Sequence, residues 1–435
     1  MRDIAVLIFL LACIGAALYR AWYGVLALAI FSYMNPHAYA WGFVRSFPAY
    51  QTLFFTVVFS TLITKDRQPI PKDWRIPVFI LLWLYFIFTT TQAYLPDLAW
   101  QKLWFVTKIY LPFFFTLVLI NTREKLLALI AAIGVSIGFI AAKGGLFAIA
   151  TGFSYRVWGP PGTQFEGNNE LAIAILMAIP LLILWYRETD NPWIKRGIIA
   201  AIPLMFASVV SSWSRGAFLT MGVLALLVIW HSKKKFLVVP IVIVAAIVGA
   251  HFLPDEWFAR METIKTYEED ASAMSRIITW RDGWHHTLEH PFTGAGFEGW
   301  RIVTWRDWHS SYVEMFSEHG FIAFGLWMSL ILGTLISLTR LPKKVKSVPG
   351  MEWVANYCYM LRASLIAYMV GTAFLGLSYW DLLYHLIFIS VLVKKFALEE
   401  LAQKQAATPD KSRHAPRIRS FVRTRQDKPD GLQPS

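Results

Sequence analysis

Long apolar segments separated by short polar loops repeat along almost the whole chain. They cover residues 4–19, 22–35, 48–64, 75–95, 103–120, 125–150, 168–186, 197–213, 216–230, 236–253, 313–338, 355–377 and 380–394. A bilayer core about 30 Å thick requires about 20 apolar residues per helix, so most of these segments are long enough to cross it. The pattern predicts an all-α polytopic integral membrane protein with about 12 or 13 transmembrane helices. The first two segments form either two spans or one span with a re-entrant piece, which leaves the side of the N-terminus open.

One polar stretch, at 254–312, is much longer than the other loops. It separates a first block of transmembrane helices at 1–253 from a last block at 313–394. Lys and Arg are concentrated in alternate short loops, which the positive-inside rule assigns to the cytoplasm. The long loop, and the short loops at 96–100, 152–167 and 214–215, are therefore predicted to face outward, which in a bacterium is the periplasm. Beyond the last block, residues 395–435 are basic, polar and rich in proline, which predicts a disordered cytoplasmic tail.

Composition supports this interpretation, because 56% of the 435 residues are hydrophobic and only 16% are charged. The formal charge of +13 does not indicate a nucleic-acid partner, since the basic residues lie in short loops and in the tail. Cys13 and Cys358 both lie within apolar segments, so neither a disulfide framework nor a thiolate metal site is expected. The predicted partner is membrane lipid.

Several cations lie at the predicted outer ends of the apolar segments, where a charge is costly and is a functional candidate by default. Lys143 precedes a Gly-Gly pair and Arg156 follows in the next outer loop. Arg215 lies in Ser-Trp-Ser-Arg-Gly at a tight turn, and Arg276 lies in Ser-Ala-Met-Ser-Arg within the long loop. Each of them could equally reach toward lipid headgroups. Together, however, they suit a polyanion such as a lipid-linked pyrophosphate, which guanidinium groups bind by bidentate bonds.

His309 stands where the long loop enters the next apolar segment. A histidine with an unperturbed pKa of about 6.5 can act there as a general base toward an attacking hydroxyl. The alternative is a histidine that only hydrogen-bonds the loop backbone. We interpret His285, His286, His290 and His319 in that second way, and Glu314 and Glu318 as residues that cap or orient the start of the helix.

The sequence does not favour a metal site or a cofactor. The nearest match to a carboxylate metal motif is Glu268-Glu269-Asp270, which is equally a solvated acidic run. Adjacent histidines such as His285-His286 lack the helical spacing of a zinc pair. Asp381, at an outer helix junction, is a further candidate for a supporting role in binding, and an interfacial helix cap is the alternative.

Three motifs in order resemble the O-antigen ligases and the related polymerases of bacterial inner membranes. They are Ser-Arg-Gly-Ala at Arg215, Ser-Arg-x-x-x-Trp at Arg276 followed by His-Pro-Phe-Thr-Gly-Ala-Gly296, and His309-Ser followed after nine residues by Gly320. The last motif departs from the family pattern at Ala323. Further stretches are similar to the O-glycosylation ligases associated with exosortase systems: Asn35-Pro-His, Trp41-Gly-Phe, Lys143-Gly-Gly, Gly159-Pro-Pro-Gly and Asn168-Asn.

The resemblance implies a metal-independent glycosyltransferase that needs no cofactor. It would move a polysaccharide from undecaprenyl pyrophosphate to a sugar hydroxyl of lipid A-core, with inversion at the anomeric carbon, in lipopolysaccharide biosynthesis. We hypothesise that Arg215 and Arg276 hold the pyrophosphate, with Lys143, Arg156 and Asp381 assisting, and that His309 activates the acceptor hydroxyl. We expect a monomer.

Two alternatives remain open from the sequence. A polymerase that joins repeat units, or a ligase that delivers the glycan to a protein hydroxyl, would use the same donor and the same residues. A transporter of lipid-linked glycan would also need cations along its helices. The outward position of the cations and the lack of a clear internal repeat favour the enzyme over the transporter.

Overall fold

The computed structural model describes residues 2–231, 235–262 and 271–407, which form α-helices and short 3-10 turns without any β-strand. The first block comprises α1 (Arg2–Tyr19), α2 (Ala21–Tyr33), α3 (Ala49–Ile63), α4 (Arg75–Thr90), α5 (Pro96–Leu119), α6 (Arg123–Ala150), α7 (Asn168–Glu188), α8 (Pro192–Val210), α9 (Arg215–His231) and α10 (Lys235–His251). The long loop contains α11 (Asp255–Glu262), α12 (Ala271–Glu289) and α13 (Trp300–Val303). The last block comprises α14 (Ser311–Val345), α15 (Glu352–Gly371) and α16 (Asp381–Ala407).

Each apolar segment predicted from the sequence falls on one of these helices, so the helical fold class is confirmed. Within the described residues six helices are long and apolar enough to cross a membrane, and four shorter apolar helices accompany them. The protein is thus an α-helical membrane protein, while the number of 12 or 13 spans stays a prediction. The start predicted for the tail needs correction, because α16 continues to Ala407 and includes residues 395–407. Residues 408–435 lie outside the described part of the chain.

The centre of the bundle is formed by α7 and α16, which are buried along most of their length. Helices that are apolar on every side are expected in the interior of a bundle. Peripheral helices such as α1 and α3 instead leave large side chains exposed, among them Ile4, Phe55 and Phe59. Such exposed apolar faces are what a lipid-facing surface requires.

Glycines allow α6 and α8 to approach each other closely. A Cβ on Gly145 would collide with the carbonyl group of Leu204, and a Cβ on Gly144 would lie 2.7 Å from the Ser208 hydroxyl oxygen. Small residues at such contacts are a common device of membrane helix packing. The Gly-Gly pair after Lys143 therefore has a packing role.

An ion-pair network ties α16 to the start of α4. The guanidinium of Arg75, which is fully buried, donates to both carboxylate oxygens of Asp73, over 2.7 Å to Oδ1 and 3.0 Å to Oδ2. Lys394 of α16 reaches Oδ2 of the same carboxylate over 2.9 Å. The two cations hold the pKa of Asp73 well below its usual range, although burial opposes them. This network lies at the predicted cytoplasmic end of the bundle.

Candidate functional site

The tight turn between α8 and α9 presents Arg215 at the first position of a helix. The turn is closed by Trp213, whose φ is +57°, and by Ser212, whose hydroxyl donates to the carbonyl oxygen of Val209 over 2.6 Å. Ser214 then caps α9, because its hydroxyl oxygen accepts the N–H of Ala217 over 3.3 Å. Arg215 therefore lies beside the N-terminal end of α9, where the helix dipole and backbone N–H groups favour an anion.

Two further arginines, from the long loop, line a small cleft at this helix end together with Arg215. Arg276 comes from α12 and Arg260 from α11. The Nε of Arg260 donates to the carbonyl oxygen of Trp213 over 3.3 Å. The arginine cleft encloses about 40 Å³ and is lined by Asn169, Ile173, Ser214, Arg215, Gly216, Ala217, Arg260, Arg276, Gly371, Phe374 and Leu375. Three guanidinium groups at a helix N-terminus form a site suited to a phosphate or pyrophosphate.

The other predicted binding residues, Arg156, Lys143 and Asp381, do not line this cleft. Arg156 lies over Trp213 in the adjacent α8–α9 turn, with its guanidinium carbon 5.6 Å from the ring centre. Lys143 is exposed and lies 5.1 Å from the ring centre of Tyr39. Asp381 lines a different cavity, between α2, α5 and α16. Of the predicted binding residues, the structure thus brings Arg215 and Arg276 together, places Arg156 beside them, and puts Lys143 and Asp381 elsewhere.

His309 lies two residues before the start of α14, in partly buried surroundings that lower the pKa of its imidazole. Its φ is +48°, and its backbone N–H donates to Oδ1 of Asp307 over 3.3 Å. Burial lowers the pKa of His309 below its usual value, the Asp307 carboxylate raises it, and the charge of Arg276 lowers it again. The net shift of the pKa is downward, which favours the neutral imidazole that can accept a proton. The charge of Arg276, which lines the arginine cleft, therefore also acts on the imidazole of His309.

A short segment after α15 connects the arginine cleft to the start of α14. Leu375 lines the cleft, and its carbonyl oxygen accepts the hydroxyl of Ser311 over 2.9 Å. Three residues later, Ser378 donates to Oε2 of Glu314 from its backbone N–H, over 3.0 Å, and from its hydroxyl, over 2.6 Å. These bonds hold the residues that follow His309 against the wall of the cleft.

The carboxylate of Glu318 accepts hydrogen bonds that fix the segment around His309. Its Oε1 accepts the indole N–H of Trp308 over 3.2 Å and the backbone N–H of Glu298 over 3.0 Å. Its Oε2 accepts the hydroxyl of Tyr379 over 2.6 Å. Trp308 is completely buried, and its own carbonyl oxygen accepts the indole N–H of Trp280 over 2.9 Å. Hydrogen bonds therefore hold both the carbonyl group and the side chain of Trp308, the residue before His309.

The two halves of the Ser-Arg-x-x-x-Trp motif act on the two parts of the site. Residues four apart on a helix share a face, so Arg276 and Trp280 both point from α12 toward the cleft and the start of α14. Arg276 lines the cleft, and Trp280 binds the Trp308 carbonyl. The four-residue spacing therefore lets one helix face place Arg276 in the cleft and Trp280 against the residue before His309.

Gly320 ends the first part of α14 and makes room for the loop of the His-Pro-Phe-Thr-Gly-Ala-Gly motif. Its φ of +73° and ψ of −179° interrupt the helix, a backbone region almost restricted to glycine. The carbonyl groups of Ser317 and Glu318 freed by the break accept the N–H groups of Ala295 and Gly296 over 2.9 and 2.8 Å. The loop motif and Gly320 are therefore two sides of one structural contact, which stabilises the helix turn that carries Glu318.

Arg260 is a site residue that the sequence does not predict. Glu314 and Glu318, which the sequence predicts to cap or orient the start of the helix, are both hydrogen-bonded within the site. A signal existed, since two carboxylates one helical turn apart near the start of an apolar span are costly unless they have a function. Arg260 had no comparable signal, because it lies in a polar part of the loop. Among the described residues no group of three or more His, Cys, Asp and Glu could hold a metal ion, and Glu268-Glu269-Asp270 lies outside them.

Comparison with known protein families divides the chain into two parts. Residues 199–328 match the family model described as O-antigen ligase. Residues 1–190 match a family of unknown function, DUF5935. No curated protein matches the chain. The first match contains Arg215, Arg260, Arg276, His309 and Glu318, and confirms the resemblance to the O-antigen ligases; the association with exosortase systems stays a prediction.

Proposed function

We propose that this chain, an O-antigen ligase family member over residues 199–328, is an O-antigen ligase of the bacterial inner membrane. In this proposal it transfers a polysaccharide from undecaprenyl pyrophosphate to a sugar hydroxyl of lipid A-core at the periplasmic face. The family match supports a ligase- or polymerase-type role in general. The observation that carries the finer proposal is the arginine cleft at the N-terminus of α9, together with the hydrogen bonds of Ser311 to Leu375 and of Trp280 to Trp308 that join the segment around His309 to it.

The arginine cleft supplies the leaving-group half of the reaction. As the glycosidic bond to the pyrophosphate breaks, negative charge grows on the phosphate oxygen. Arg215, Arg260 and Arg276 stabilise that charge, and the end of α9 adds its dipole. The apolar helices around the cleft suit the isoprenoid tail of the donor. Lys143 and Asp381 are not part of this proposal, because they line other surfaces.

His309 supplies the acceptor half. Its neutral imidazole takes the proton of the acceptor hydroxyl while the oxygen attacks the anomeric carbon from the face opposite the pyrophosphate. The carbon–oxygen bond to the pyrophosphate breaks, and undecaprenyl pyrophosphate leaves with the bonding electron pair. One bond forms as one breaks, so the anomeric carbon is inverted and no covalent intermediate with the protein is needed.

Transfer by purified protein from a defined undecaprenyl pyrophosphate glycan to lipid A-core, with a chelator present, tests the proposal. We expect His309→Ala to lower kcat about 10²–10⁴-fold, the usual contribution of a general base. The exposed His285 of α12 offers a matched control, and His285→Ala should retain wild-type activity. Full activity of His309→Ala would exclude the general-base role.

The arginines are tested by donor affinity. One charge-assisted hydrogen bond contributes about 1.5–3 kcal/mol, so Arg260→Gln and Arg276→Gln should each weaken donor binding about 10- to 100-fold. Arg281 is on the same helix as Arg276 but is exposed and paired with Asp282, so Arg281→Gln should leave affinity unchanged. Unchanged affinity in both cleft variants would remove the pyrophosphate role.

The acceptor is tested by competition among lipid A-core, a lipid-linked repeat unit and a protein bearing Ser and Thr. Transfer only to lipid A-core supports the ligase. Transfer to the repeat unit would assign a polymerase, and transfer to protein an O-oligosaccharyltransferase. Movement of the donor across liposomes without glycosyl transfer would replace the enzyme by a transporter.

A further inference from the structure

A second polar cavity lies on the other side of the segment that leads into α16. It encloses about 150 Å³ between α2, α3, α5 and α16, and Gln164 of the loop before α7 also borders it. Aliphatic residues form part of its wall, and its polar lining residues are Ser32, Tyr50, Lys108, Thr116, Gln164, Asp381 and His385. A water molecule in the liquid takes about 30 Å³, so a polar group of a few non-hydrogen atoms fits. None of the arginines of the cleft borders this cavity.

Asp381 gives the cavity an unused hydrogen-bond acceptor. The residue is only 4% exposed. Its Oδ2 accepts the hydroxyl of Ser32, whereas its Oδ1 is buried and has no hydrogen-bond partner among the described residues. A buried carboxylate oxygen without a donor costs free energy, so a ligand that donates an N–H or O–H group to it would be stabilised there.

The surrounding side chains hold this acceptor in a defined position. The ring of His385 lies one turn after Asp381, makes a 2.6 Å hydrogen bond to the hydroxyl of Tyr33, and packs edge-on against Phe113 at 4.7 Å between ring centres. Both partners come from other helices, so the start of α16 is fixed between α2 and α5. The cavity is therefore a built feature of the bundle.

Lys108 places a cation at the mouth of the same cavity. It is exposed on α5, next to Trp104, whose ring centre lies 5.4 Å from Nζ. A matching ligand therefore has a donor group that enters the cavity toward Asp381, an anionic group that stays at the mouth near Lys108, and an apolar part that continues along exposed helix surface.

We propose that this cavity binds the headgroup of a zwitterionic phospholipid of the phosphoethanolamine class. The primary ammonium donates to Oδ1 of Asp381, the phosphate pairs with Lys108, and the acyl chains lie along α2 and α5. The ethanolamine unit has four non-hydrogen atoms and is compatible with the cavity volume. The site is separate from the proposed glycosyl transfer and does not depend on it.

Lipid binding to the purified full-length protein, measured by native mass spectrometry, tests this assignment. Phosphatidylethanolamine and phosphatidylcholine share the phosphate, but the quaternary ammonium of the second has no N–H to donate. We expect at least a tenfold preference for phosphatidylethanolamine. Asp381→Asn should reduce this preference to less than threefold, while Lys108→Gln should weaken both lipids equally and keep the preference. Asp190→Asn, at an exposed charge just before α8, and Lys195→Gln, at a partly exposed charge in its first turn, are matched controls that should change nothing.

Ala29→Leu provides a variant that keeps every charged group. Ala29 lines the cavity and is buried, so the larger side chain fills the space and should abolish the preference in a protein that still elutes as a single species. Equal binding of the two lipids by the wild type, or an unchanged preference in Asp381→Asn, would overturn the proposal. Stronger binding of phosphatidylglycerol than of phosphatidylethanolamine would contradict the ammonium as the donor and favour a hydroxylated headgroup. If soluble phosphoethanolamine bound as strongly as the lipid, the ligand would not be a lipid.

Discussion

Replacing Glu318 tests whether this carboxylate positions His309 or transfers protons itself. In Glu318→Ala the indole N–H of Trp308 and the hydroxyl of Tyr379 lose their acceptor, and these residues are 0% and 5% exposed. An orphaned buried donor costs about 1–3 kcal/mol, so the two together cost about 2–6 kcal/mol. Because the loss falls on Trp308, we expect His309 to leave its ordered position.

The size of the effect on catalysis follows from that free energy. A middle value of about 4 kcal/mol corresponds to about 10³-fold, since each 1.36 kcal/mol is a factor of ten in rate. We therefore expect kcat of Glu318→Ala to fall by up to about 10³-fold. The donor KM should change little, because Glu318 does not line the arginine cleft. In Glu318→Gln the amide oxygen still accepts from Trp308 and the amide nitrogen donates to Tyr379, so kcat should stay within about tenfold of the wild type.

Initial rates at varied donor concentration separate the two parameters, and thermal unfolding checks that each variant is folded. Glu289→Ala, at an exposed position of α12, is the control for the loss of a glutamate. If Glu318→Gln were as inactive as Glu318→Ala, an ionisable group would be required and the positioning role would be wrong. A wild-type kcat in Glu318→Ala would show that Trp308 needs no acceptor.

Three further predictions concern the pH profile and the stability of the fold. Asp307→Asn should lower the pKa of His309 further, because the carboxylate raises it, so the acidic limb of the pH profile of kcat/KM should move to lower pH. Gly320→Ala should destabilise the protein by at least about 1–3 kcal/mol, since φ is +73° and the new Cβ would lie 2.5 Å from the Pro291 carbonyl oxygen. Asp73→Asn should cost about 3–5 kcal/mol in thermal unfolding at pH 7, because it leaves the buried Arg75 without its carboxylate.

Each of these predictions has a control of opposite or negligible effect. Arg276 lowers the pKa of His309, so Arg276→Gln should move the acidic limb to higher pH, and equal shifts in both variants would contradict the assignment. Gly325→Ala, where a Cβ meets nothing within 4 Å, should not destabilise. Asp66 pairs with Lys125 but its side chain is 52% exposed, so Asp66→Asn should cost less than about 1 kcal/mol.

The stabilising contribution of Asp73 also has a defined pH dependence. Its pKa is depressed in the folded protein, so the contribution is present above the unfolded pKa of about 3.9 and is lost as the pH falls toward the folded value. Wild type and Asp73→Asn should therefore differ in stability at neutral pH and converge in acid. A difference that stays constant with pH would contradict the ion pair as its cause.

The helices and their approximate positions were predictable from the sequence. Burial of the peptide backbone in lipid requires long apolar helices, and the residues of each segment alone show whether it meets this requirement. The motifs around Arg215, Arg276 and His309 are also recognisable from the sequence, because each is short and the three follow one another in the order seen in the O-antigen ligases they resemble. Residues 199–328, which match the O-antigen ligase family model, contain all three motifs.

The composition of the site was decided only by the tertiary structure. Arg260 and Glu318 enter the site because α11 and the broken helix α14 fold against the α8–α9 turn and the segment after α15. Lys143 and Asp381 are also charged residues at predicted outer positions, like Arg215, yet α6 and α16 direct them away from the cleft. Hydrophobic periodicity determines that a helix forms and how deep a residue lies, whereas the direction of its side chain depends on which helices pack beside it, and no local pattern specifies those long-range contacts.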